Sequence, residues 1–70
     1  MSSSYLDIYA ELVAAIETLP GDQAKILQLY YVDSLNWKEI CLVLGQDYVT
    51  VKIAYWKAME ALKPKLTFVQ

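Results

Sequence analysis

The residues of this 70-residue chain best placed to do chemistry lie between Tyr48 and Lys57. Lys52 and Lys57 carry ammonium groups that could neutralise phosphates, the electrostatic part of a nucleic-acid footprint. They could equally be ordinary solvated lysines. Thr50 either donates its hydroxyl to a phosphate or is a helix first-turn residue with no ligand. Interleaved with these are Tyr48, Val49, Ile53 and Trp56, spaced i, i+1, i+5 and i+8. On a helix that spacing gathers them on the outward face. Two readings are open. The four side chains complete the core against the first helix or the C-terminal tail, or they form an exposed apolar patch, which usually marks a partner surface. In the second reading the partner is another copy of the chain or a different protein.

Other chemistry is poorly supplied. There is no histidine and one cysteine, Cys41, flanked by the apolar Ile40 and Leu42. With no base at suggestive spacing, Cys41 reads as a small buried hydrophobe. Asp7, Glu11 and Glu17 read as a solvated helix face rather than a catalytic pair. One thiol with scattered carboxylates is no zinc site, and no glycine-rich phosphate loop is present. The expectation is a non-enzyme with no cofactor, no metal and no small-molecule substrate.

Seventy residues make one domain, 1–70, with a core that is marginal on its own. Neither an intrachain disulfide nor a metal is on hand to staple it. The remaining resource is apolar content, 57% hydrophobic and 13% aromatic. Some of that surface is expected to pack on a second molecule, most simply as a homodimer. The lone cysteine and the lack of a signal sequence point to a cytoplasmic setting. No apolar run approaches the ~18–20 residues that span a bilayer, so no membrane partner is expected. Net charge is −2 and the isoelectric point about 4.8, against a generic polyanion binder. The charge is uneven: residues 1–35 are acidic and residues 36–70 mildly basic. All six cations are lysine. Arginine, the usual bidentate reader of guanine and phosphate, is absent.

Four helices must position these residues. Ser4 with Asp7 makes a capping-box-like start, and Ile8, Leu12, Ala15, Ile16 and Leu19 recur at helical spacing, with Tyr5 and Tyr9 on a flank. Helix 1 is expected over about 4–18. Leu19-Pro20-Gly21-Asp22 breaks it, and Asp22 is expected to cap helix 2, about 22–33. Asp33-Ser34 forms a tight turn. Asn36 caps helix 3, about 37–44, with Glu39 reaching back to close a capping box. Gly45 terminates it in the left-handed conformation. Asp47 caps helix 4, whose inward stripe is Val51, Ala54, Tyr55, Ala58 and Leu62 and which Pro64 ends. The tail is frayed or docked through Leu66 and Phe68. Core positions are Leu27, Tyr31, Ile40, Leu44, Val51, Tyr55 and Leu62. The fold class is all-α, a four-helix domain. Its last two helices, about 36–62, are joined by a three-residue turn in helix-turn-helix geometry, with small residues Cys41 and Ala54 or Ala58 at the close approach.

The run Leu19-Pro20, then Ile26 through Gly45, then Thr50-Val51-Lys52, then Ala58 and Leu62, resembles region 4 of bacterial sigma factors. It equally resembles short phage-encoded regulators on the same helix-turn-helix. The resemblance covers about residues 19–62. It implies promoter DNA as a partner, read by the last helix, and RNA polymerase as a second. By position, Asp47 through Thr50 would start the recognition helix, Lys52, Ile53, Trp56 and Lys57 would face the major groove, and Lys38 would sit near a phosphate. With Tyr48 and Val49 these are the candidate DNA-binding residues. Tyr48, Val49, Ile53 and Trp56 are also the candidate protein interface. The chain departs from the family in two ways. Ser34 stands where glycine is common, which implies a strained turn. Ile53, Ala54, Trp56 and Met59 stand where the recognition helix is commonly polar or arginine. The resemblance thus implies a DNA-binding transcription regulator, working as a dimer or with RNA polymerase. The apolar outer face of helix 4 leaves a second reading: a helix-turn-helix repurposed as a phage-type inhibitor or adaptor that binds a protein.

Overall fold

The structure is a computed structural model and describes residues 5–67. The expected Ser4 cap and the docking of Phe68 lie outside them. Four α-helices are present among the described residues, with no strand: α1 (Tyr5–Glu17), α2 (Gly21–Leu27), α3 (Trp37–Leu44) and α4 (Tyr48–Leu62). A π-helical turn, Gln28–Val32, continues α2, and a 3-10 turn, Lys63–Lys65, follows α4.

α1 ends by tightening. Thr18 and Leu19 donate their backbone N–H groups to Ala15 and Ile16 at 3.1 Å, and the Thr18 hydroxyl donates to the Ala15 carbonyl at 2.7 Å. Carbonyls left over at a helix end are satisfied in this way. Pro20, extended at ψ 151°, then starts α2. The expected Asp22 cap is corrected here. The residue before the helix is Pro20, whose carbonyl accepts from Ala24 N–H at 2.8 Å, and no side chain caps the helix. Asp22 sits inside the first turn, where its charge still complements the helix dipole.

The expected single helix over 22–33 is corrected as well. α2 ends at Leu27, and Gln28–Val32 widen into a π turn closed by Asp33 N–H to the Gln28 carbonyl at 2.9 Å. The wide turn carries two consecutive tyrosines toward α3 and α4. Tyr30 stacks on Trp37 with centroids 4.7 Å apart, and the Tyr31 hydroxyl lies 3.0 Å from that of Tyr55. Ser34 follows with φ 58°, the left-handed region that a side chain disfavours. That is the strained turn expected from a serine in place of glycine.

The core joins all four helices. Ile16, Ile26, Leu27, Ile40, Val51 and Leu62 are fully buried. Of the expected core residues, Leu27, Ile40, Val51 and Leu62 are among them, whereas Tyr31, Leu44 and Tyr55 are half-buried and pack on the core from outside. The tyrosines stop short of full burial because their hydroxyls pair at the cluster edge. Cys41 is likewise half-buried, with a free thiol. Leu66 is buried, so the chain after α4 docks through that residue. Thr67 then donates its N–H and hydroxyl to the Glu11 carboxylate at 2.6–2.9 Å. Glu11 is therefore not simply part of a solvated face but clasps Thr67 to α1. The first half of α1 projects beyond the core, with Tyr5 and Leu6 exposed, and the molecule measures 43 × 20 × 17 Å.

Candidate nucleic-acid interface

Local sequence builds the frame of α3 and α4 almost unaided. Asn36 Oδ1 accepts from Glu39 N–H at 2.8 Å while Glu39 Oε1 accepts from Asn36 N–H at 2.8 Å, a complete capping box. Gly45 ends α3 at φ 65°, ψ 34° and donates its N–H to the Cys41 carbonyl. A Cβ there would meet no atom within 4 Å, so the backbone conformation and not space requires glycine. Two residues later Asp47 Oδ1 accepts from Thr50 N–H at 2.8 Å and starts α4. The Thr50 side chain, and then its backbone N–H, hold the Asp47 carboxyl below the usual carboxylate range.

α4 seats Val51, Ala58 and Leu62 in the core and turns its other face outward. Tyr48, Val49, Ile53 and Trp56 are 52–64% exposed, so they do not complete the core. With Lys52 they line one shallow apolar depression of about 350 Å³. Lys38 is exposed on the first turn of α3, and Lys57 and Thr50 are exposed on α4.

Lys52 behaves differently from the other candidate cations. Its Nζ lies 4.3 Å above the Trp37 ring centroid and 5.8–5.9 Å from the centroids of Tyr48 and Tyr55. Trp37 itself is edge-on to Tyr55 at 4.9 Å and stacked on Tyr30. Lys52 thus caps an aromatic cluster that ties the π turn to α3 and α4. In that cluster, burial, and then the hydrogen bond with the Tyr31 hydroxyl, push the Tyr55 hydroxyl well above the ordinary tyrosine range.

One participant escapes a reading of the sequence. Lys25 and Asp22 of α2 line a second depression with Gln46, Thr50, Ile53 and Lys57, beside the start of α4. In the sequence Lys25 is a lone cation in an acidic half. Only the packing of α2 on α4 brings it alongside Lys57, and no local pattern signals that. Among the described residues no group of metal-ligating side chains occurs, and no helix is long and apolar enough to cross a membrane.

A capped helix, a glycine-centred turn and a second capped helix with a free outer face make a helix-turn-helix domain. Residues 9–65 match the family model of Sigma-70, region 4, and the chain belongs to that family. It is similar to the RNA polymerase sigma factor FliA of Salmonella typhimurium, 37% identical over 60 residues, which is 86% of this chain and 25% of that protein. The RNA polymerase sigma factor FliA of Escherichia coli K12 is 40% identical over 55 residues, 79% of this chain and 23% of that protein. The chain spans about a quarter of the length of the curated relatives it matches. No solved structure matches it at a significant level. Membership of the family makes the chain a non-enzymatic helix-turn-helix domain related to sigma factors.

Proposed function

We propose that this domain is a DNA-binding transcription regulator whose helix α4 enters the major groove, acting as a homodimer or together with RNA polymerase. The observation that carries the reading is the free outer face of α4 on a fully capped helix-turn-helix, in a chain of the sigma-70 region 4 family. Lys57, joined by Lys25 from α2, borders that face on one side and the two are phosphate contacts of the reading, while the Thr50 side chain beside them is turned to Asp47. Lys38 on α3 is a further one. So few cations give weak binding at physiological salt, since each phosphate neutralised adds only about one unit to the salt slope. A dimer, or polymerase as a tether, offsets this by enlarging the footprint. Being similar to proteins named RNA polymerase sigma factors supports the second tether.

The test is selection of duplexes from a random-sequence library by the full chain, followed by anisotropy titration of the enriched duplex across a range of salt. Enrichment with a salt-dependent affinity supports the reading, and no enrichment even at low salt overturns it. Sedimentation equilibrium at micromolar concentration tests the dimer, and a monomer with no trend on dilution removes it.

A second reading, a protein-interaction module of inhibitor or adaptor type, is favoured by the exposure of Tyr48, Val49, Ile53 and Trp56 and by the absence of arginine. The two readings rank variants oppositely. For DNA, Lys57→Ala flattens the salt dependence of binding by about one unit per protomer, and Trp56→Ala with Ile53→Ala leaves that slope unchanged. For a protein, the tryptophan is the hot spot and its loss costs about 2 kcal/mol or more, while the lysine changes mainly the association rate.

A further inference from the structure

α4 has no arginine, asparagine or glutamine, the side chains that read guanine and adenine edges bidentately. The centre of its outer face is Val49, Ile53 and Trp56, all exposed. Two charged groups of α4 are already engaged: Lys52 Nζ lies over the Trp37 ring and Glu60 pairs with Lys63 at 3.2 Å. The chain has no arginine. In the major groove, the base-edge feature that an aliphatic side chain recognises is the C5 methyl of thymine. Building on the DNA-binding reading above, we infer that Val49 and Ile53 read thymine methyl groups, so that the target is an A·T-rich duplex whose recognition is apolar at its centre.

Charge placement fits such an occupant. An apolar centre with Lys57 and Lys25 along one border, against the single carboxylate of Asp22, matches a groove whose floor carries methyl groups and whose wall carries phosphates. At the start of α4 the Asp47 carboxylate already accepts the Thr50 N–H and sets a negative charge where a phosphate would otherwise approach the helix end. The helix therefore approaches through its side, where Val49 and Ile53 lie one turn apart. It does not approach through its end.

The experiment uses the duplex enriched from the random-sequence library, resynthesised with deoxyuridine in place of thymidine. Base pairing is kept and only the methyl groups are lost. The expected result is an A·T-rich enriched duplex whose affinity falls about fourfold for each methyl removed beneath α4, the equivalent of one buried carbon. Val49→Ala with Ile53→Ala should then bind the thymidine and deoxyuridine duplexes alike. Both positions are exposed, and circular dichroism confirms that the variant folds. Equal affinity of the wild-type chain for the two duplexes overturns the methyl inference while the DNA reading stands. Failure to enrich any duplex at low salt overturns both and leaves the apolar face to a protein partner.

Discussion

Replacing Lys52, Lys57 and Lys38 one at a time by alanine separates lysines by what the fold has already done with them. A lysine free to reach phosphate contributes about 0.9 to the slope of log affinity against log salt. At physiological ionic strength that slope corresponds to about 1 kcal/mol per contact. Lys57 and Lys38 are exposed and should each contribute the full amount per protomer. Lys52 is half-buried with its Nζ 4.3 Å from the Trp37 centroid. To reach a phosphate it must give up a cation–π interaction of about 0.5–2 kcal/mol. The gain and the loss nearly cancel, so Lys52→Ala should flatten the salt slope by less than about half a unit. Its main effect should fall on stability, lowering the unfolding free energy by about 1 kcal/mol as the Trp37 face is uncovered. Lys57→Ala should stay within about 0.5 kcal/mol of wild type in the same urea titration. Anisotropy across a salt series and chemical unfolding read the two quantities independently. A Lys52→Ala protein of unchanged stability whose salt slope flattens by a full unit refutes the reasoning.

Leu62 is fully buried and Leu44 only partly, so Leu62→Ala should destabilise by about 2–5 kcal/mol and Leu44→Ala by visibly less, as measured by urea unfolding. Ser34→Gly relieves a side chain held at φ 58° at a cost of about 1–2 kcal/mol and adds back about 0.5–1 kcal/mol of chain entropy, so a net gain of up to about 1.5 kcal/mol is expected in the unfolding free energy from a urea titration. The Asp47 carboxyl titrates lower in the folded chain than in the unfolded one, so its contribution is complete above the unfolded value near pH ~4 and is lost as pH falls through the folded value. Asp47→Asn keeps a capping oxygen, removes that ionisation and should shallow the acid limb of a stability–pH profile, which thermal melts across pH 2–5 would register (a range set by the ~3.9 reference value).

What the chain writes locally, it writes legibly. The boundaries of α3 and α4 follow from Asn36, Glu39, Gly45 and Asp47, because caps act within one turn and depend on residue type alone. The strain at Ser34 belongs to the same class, since a left-handed turn disfavours a Cβ wherever it occurs. The outward set on α4 is a consequence of helical period, and its four residues do share one face. Three features needed the tertiary structure. The π turn at Gln28–Val32 is drawn by aromatic packing of Tyr30 and Tyr31 on Trp37 and Tyr55, residues brought together only when α2 meets α3 and α4. The clasp between Glu11 and Thr67 joins groups 56 residues apart, and a carboxylate in an apparently solvated stripe carries no mark of a distant partner. Lys52 and Lys57 look alike in the sequence, yet the fold sets an aromatic ring under one and leaves the other beside Lys25. Capping and period are short-range and additive along the chain. The fate of a charge depends on which surfaces close around it, and only the packing of helices decides that.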